Sequence, residues 1–112
     1  MRNWRRNCLK VLNEDKPYHL ISLAYKGGNL VTGTELCRSA ISKGKAKLVL
    51  LSGDCSDNTR KLFTDKCLHK GIPIRIFGTK SRLGRAVGKV DRAVAAVLDE
   101  GFSREILKLI DT

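Results

Sequence analysis

Apolar residues fall along this chain in two recurring patterns, and the alternation between them predicts the fold. Two short runs are almost wholly apolar, Leu48-Val49-Leu50-Leu51 and Ala93 to Leu98. Such runs suit strands covered on both faces. Around them lie segments with apolar residues at helical spacing. Leu20, Ile21, Leu23 and Ala24 give one helix face, which starts near Pro17 and stops at Gly27-Gly28. Proline is at home in a first helical turn, and glycine just past a last one. Leu30-Val31 follows as a short strand. Thr32-Gly33-Thr34-Glu35 fits a capping box, with Thr32 as cap and Glu35 three residues on. The helix it opens is expected to bury Leu36, Cys37, Ala40 and Ile41 and to close at Gly44.

The second half repeats the alternation. Ser52 to Asp57 reads as a loop ending in cap residues. The helix after it runs to about His69, with Leu62, Phe63, Cys67 and Leu68 inward and Gly71 as its stop. In the strand Pro73 to Phe77, Ile72, Ile74 and Ile76 alternate with Pro73, Arg75 and Phe77. Thr79 to Val87 is a short basic helix punctuated by Gly84, with Leu83 and Val87 four apart. The loop Gly88 to Arg92 leads into the last strand, Arg92 to Leu98. Ser103 is the expected cap of a final helix, with Phe102 stapled against Leu107. Strands alternating with helices predict an α/β fold: a three-layer α/β/α sandwich around a small mixed four-stranded sheet.

Residues 1–15 read as a basic N-terminal extension, and 16–112 as a single domain. In the extension, Trp4, Cys8 and Val11 sit at helical spacing with Arg5, Arg6 and Lys10 between them, the pattern of a basic amphipathic helix. No apolar stretch approaches the roughly 18 residues of a membrane span. No apolar signal-peptide region of about 7–15 residues follows the basic N-terminus. The expectation is a cytoplasmic protein with no membrane partner.

Charge then narrows the class of partner. The 112 residues carry 22 lysines and arginines against 11 acids, a formal charge of +11. So large an excess destabilises the compact state by self-repulsion, and an anionic partner offsets that cost. Nucleic acid is the first expectation. A protein-interaction module for an acidic partner is the alternative.

Catalytic and metal chemistry find little support. Cys8, Cys37, Cys55 and Cys67 form no CxxC pair, and their separations do not match zinc-ligand spacing, even with His69 added. Cys55 precedes the cap of a helix, where a thiol is acidified. A small redox protein is therefore a lesser alternative, although no resolving cysteine stands near it in sequence. His19 and His69 lack a nucleophile setting. Gly27, Gly28 and Gly33 make no dinucleotide fingerprint, and no phosphate-loop Gly-Lys-Ser/Thr occurs. No catalytic residue, cofactor or metal is predicted.

Several stretches together resemble the ribosomal L-seven-Ae/L-thirty-e family of kink-turn RNA-binding proteins, in particular its small bacterial YlxQ-type branch. They are Gly28 to Gly33, Gly44 to Leu51, Asp54 to Thr59, Leu83 to Gly88 and Ala96 to Phe102. The resemblance spans roughly residues 16 to 110. It implies an α/β/α sandwich and a non-catalytic, monomeric protein of the translation machinery. The implied partner is structured RNA, ribosomal or regulatory, bent sharply beside sheared G·A pairs.

Two loops carry that recognition in the family. Matched position by position, the first is Gly33-Thr34-Glu35-Leu36, with Arg38 and Ser39 one turn on. Gly33 and Thr34 match the family's Gly-Thr. The best-known members continue with an amide and an acid and carry a lysine one turn later; here Glu35, Leu36 and Ser39 hold those positions. Glu35 retains acceptor oxygens for a guanine edge, and Arg38 stands beside the lost lysine. The second loop is Gly88-Lys89-Val90-Asp91-Arg92, with Val90 as the apolar residue to cover a splayed base. The basic set is Lys26, Arg38, Lys43, Lys45, Lys47, Lys80, Arg82, Arg85, Lys89 and Arg92, and several of these are expected to flank the two loops on one edge of the domain. Cations around rigid loops suit RNA, which is read by shape, backbone and unstacked bases.

Overall fold

The computed structural model describes residues 16–111. The 1–15 extension, with its helix reading, lies outside the described residues. The elements in chain order are α1 (16–26), β1 (Leu30–Thr32), α2 (Thr34–Ser42), β2 (Leu48–Leu51), α3 (Asp57–Lys70), β3 (Ile74–Ile76), α4 (Lys80–Ala86), β4 (Val94–Val97) and α5 (Glu100–Ile110).

The four strands form one mixed sheet in the order β1-β4-β2-β3. β2 and β3 are parallel, while β4 is antiparallel to both neighbours, pairing Leu30 with Val97 on one side and Leu48 with Val97 on the other. The two wholly apolar strands are the central ones, and every residue of both is buried. Their alternate side chains feed two cores. Leu48, Leu50, Ala95 and Val97 meet Tyr18, Ile21 and Ala24 of α1, Leu83 of α4 and Ile106 of α5. Val49, Leu51, Val94 and Ala96 meet Cys37, Ala40 and Ile41 of α2 and Phe63 and Cys67 of α3. Helices thus cover both faces, and the molecule is the expected α/β/α sandwich. Each fully buried Leu, Ile or Phe contributes about 1.5–3 kcal/mol by leaving water.

Several local readings are corrected. Thr32 is not a helix cap: it pairs with Ala95 as the last residue of β1. Gly33 takes the cap position, without a side-chain hydrogen bond, so no capping box forms. Ser103 is not the cap of α5 either. Asp99 is, accepting from the Phe102 N–H at 2.9 Å, while Ser103 is buried one turn inside and donates to the Lys47 carbonyl. Leu36 and Leu68 point outward, at 59% and 74% exposure. α2 buries Cys37, Ala40 and Ile41 and α3 buries Phe63 and Cys67, and the two leucines fall off those stripes.

Candidate nucleic-acid interface

Strand direction decides which connections meet. β1, β2 and β3 all run one way and β4 runs the other. The turns leaving β1, β2 and β3 therefore gather at one end of the sheet, together with the loop that enters β4. This loop end holds Gly33, Ser52–Ser56, Phe77–Thr79 and Val87–Ala93. Both predicted recognition loops are here, and they are bonded through the sheet: the Gly33 N–H donates to the Val94 carbonyl at 3.1 Å.

The end is braced by backbone bonds between connections. The Ser52 N–H donates to Ala93 O, the Gly53 N–H to Gly78 O and the Arg92 N–H to Lys80 O, at 2.8–3.0 Å. Asp54 reaches across to the start of α4 and accepts from the Lys80 N–H at 2.9 Å. That bond holds its carboxyl below the ordinary carboxylate range. Thr79 caps α4 by accepting from the Arg82 N–H. Sequence reasoning passed over Asp54, Gly53 and Gly78 as functional supports. Their only signal was position in strand-to-helix turns.

Each of the two loops has a backbone requirement. Gly33 sits at φ 92°, ψ 154°, a region essentially confined to glycine. With no side-chain cap, the first-turn N–H groups of α2 remain open to an incoming acceptor. Thr34, Glu35 and Leu36 are exposed there, and Arg38 is exposed one turn on. Gly84 is buried in α4, facing the second loop. A Cβ at Gly84 would collide with the Val90 carbonyl, and the Lys89 N–H donates to the Gly84 carbonyl at 2.8 Å. This contact folds Gly88–Val90 back on the helix and leaves the Val90 side chain 82% exposed. Gly84 and Gly88 are thus a packing glycine and a glycine beyond the helix C-cap.

The cations divide between two ends. Lys80, Lys89 and Arg92 lie in or beside the loop end, and exposed Arg85 is in the last turn of α4 just before it. Arg82 stacks its guanidinium 4.3 Å from the centre of the Tyr18 ring. It also lines a cleft of about 300 Å³ with Tyr18, Phe77, Gly78 and Thr79. Lys26, Lys43, Lys45 and Lys47 do not flank the loops. They stand at the far end, where α1 and α2 hand over to β1 and β2, with Lys47 N–H bonded to Val97 O. Four-residue strands separate the two ends by about 13 Å before the turns are added.

The cysteine chemistry is quiet. Cys37, Cys55 and Cys67 are free and buried in the α2/α3 core. Burial pushes the Cys37 thiol up to about 12 and the Cys67 thiol up to about 11, so both stay protonated near neutrality. Among the described residues no group of three or more His, Cys, Asp or Glu side chains could hold a metal. No helix there is long and apolar enough to cross a membrane.

Comparison with known proteins agrees with this geometry. Residues 15–107 match the family model described as Ribosomal protein L7Ae/L30e/S12e/Gadd45 family. The RNA-binding protein YlxQ of Bacillus subtilis (strain 168) is 39% identical over 94 residues, covering 84% of this chain and 94% of that protein. The RNA-binding protein YlxQ of Enterococcus faecium is 34% identical over 99 residues, covering 88% and 95%. A solved structure of a protein with unknown function from Bacillus halodurans C is 41% identical, with a TM-score of 0.83 over 87% of this chain and 98% of its own. Family model, relatives and fold converge, and the chain belongs to the L7Ae/L30e ribosomal protein family, in its bacterial YlxQ-type branch.

Proposed function

We propose that this protein is a non-catalytic, cytoplasmic RNA-binding protein of the translation machinery, and that its loop end recognises a kink-turn-like bend in structured RNA. The observation that carries the reading is the bonded pairing of the two loops, Gly33 N–H to Val94 O, at one braced end of the sheet. In this reading the open N–H groups at the start of α2 meet acceptor atoms of the RNA. The Glu35 carboxylate, exposed and outside any capping box, accepts from a guanine edge. Leu36 and Val90, large apolar side chains exposed at this end, cover unstacked bases, while Arg38, Lys80, Arg85, Lys89 and Arg92 meet phosphates. The names of the two YlxQ relatives support RNA as the ligand.

A titration against a kink-turn RNA, and against a copy with its sheared G·A pairs mutated, tests the proposal. The expected preference for the intact RNA is about tenfold or more, roughly 1.4 kcal/mol. Equal affinity for the two RNAs would overturn kink recognition, and no binding to either would overturn RNA binding.

A further inference from the structure

The end of the sheet opposite the loops is the more cationic of the two. Its connections are 27–29, 43–47, 71–73 and 98–99. With the helix residues that border them, they carry Lys26, Lys43, Lys45, Lys47 and Lys70 against Glu100 and Asp99, whose carboxylate is engaged in capping α5. The corresponding connections at the loop end balance Lys89 and Arg92 against Asp54 and Asp91. All five far-end lysines are exposed. None makes an ion pair among the described residues.

Helix dipoles do not account for this. α1, α2 and α3 end here and α5 begins here, and at roughly half a charge per terminus these sum to about −1. Three net positive charges exceed that. Nor does the end have the make-up of a protein interface, which has an apolar or aromatic centre. Of the large exposed apolar residues, Leu23 and Leu68 stand apart from each other in the last turns of α1 and α3, and no large exposed apolar residue lies in the connections themselves. Lysines act as compact point charges on flexible stems. That chemistry suits a phosphate backbone held without sequence reading.

We infer that the lysine end is a second RNA-contacting surface, which holds the phosphate backbone of an RNA duplex separate from the element at the loop end. The protein would then join two RNA segments across its sheet. The inference rests on the RNA-binding reading above, but it does not depend on kink recognition.

The test uses the full chain and the variant Lys43→Gln/Lys45→Gln/Lys47→Gln, titrated with a plain RNA duplex lacking any kink at several salt concentrations. The variant is expected to lose tenfold or more in duplex affinity. The slope of log affinity against log salt should fall by about 2–3, near 0.9 for each phosphate no longer neutralised. Its preference for intact over mutated kink-turn RNA should be kept. Wild-type affinity and slope in the variant would overturn the inference, as would no binding of the duplex by wild type. An equal loss on polyglutamate would also overturn it, making the end a general anion surface. Duplex binding that depends on these lysines, in a protein with no kink-turn preference, would sustain this inference while sinking kink recognition.

Discussion

The two ends of one sheet solve different problems. The loop end is nearly neutral in its connections, cross-braced by backbone bonds, and exposes Leu36 and Val90. The far end has short, mostly glycine-containing turns studded with lysine and no exposed large apolar residue within those turns. In the proposed reading, fixed shape carries specificity, because bases and backbone bends are read by position, and mobile charge carries affinity, because phosphates are everywhere alike. A count of charges taken over the whole chain hides this division.

The comparison breaks most severely if the second loop is pushed off α4. Gly84→Val places a side chain where the Val90 and Lys89 carbonyls now stand. Denaturant unfolding should show a loss of about 2–3 kcal/mol, with the preference for kinked RNA abolished. Gly33→Ala follows. It forces a glycine-only conformation on an L residue, at about 1–3 kcal/mol, and disturbs the open helix start. Thermal melts and kink-turn titrations should both respond.

Val90→Ala separates stability from recognition. The side chain is 82% exposed, so folding should change by no more than about 0.5 kcal/mol. Affinity for kinked RNA should nevertheless drop about tenfold, equivalent to 1.4 kcal/mol, with no change on a plain duplex.

The smallest effect is a pH dependence confined to the loop end. The Asp54 carboxyl lies below its ordinary value because Lys80 N–H donates to its charged form. Its contribution is therefore fully present above the ordinary carboxylate range, and is lost as pH falls below about 4. The Lys80 amide resonance should follow that acid titration, and Asp54→Asn should remove it. Amides at Lys43–Lys47 should not respond.

Much of this was legible before the fold. The apolar runs at β2 and β4 read as strands covered on both faces, and both are buried throughout at the centre of the sheet. Gly71, Ser56 and Thr79 also stand where the sequence puts helix ends. The failures came where two residues competed for one role. Thr32 and Glu35 have capping-box spacing, but the Thr32 backbone is committed to β1. Asp99 and Ser103 both suit a cap, and the packing of Ser103 beneath Lys47 settled it. For the candidate site, the family resemblance singled out the two loops, whereas their meeting at one end and the division of the lysines follow from the antiparallel setting of β4, a long-range pairing that no local pattern encodes.

The central claim is that the loop end, and not the lysine end, reads the bend in the RNA. Amide chemical-shift mapping with a short kink-turn RNA tests it directly. The largest shifts are expected at Gly33–Leu36 and Lys89–Arg92, with Lys43–Lys47 little changed. Largest shifts at Lys43–Lys47, with the two loops unmoved, would contradict it.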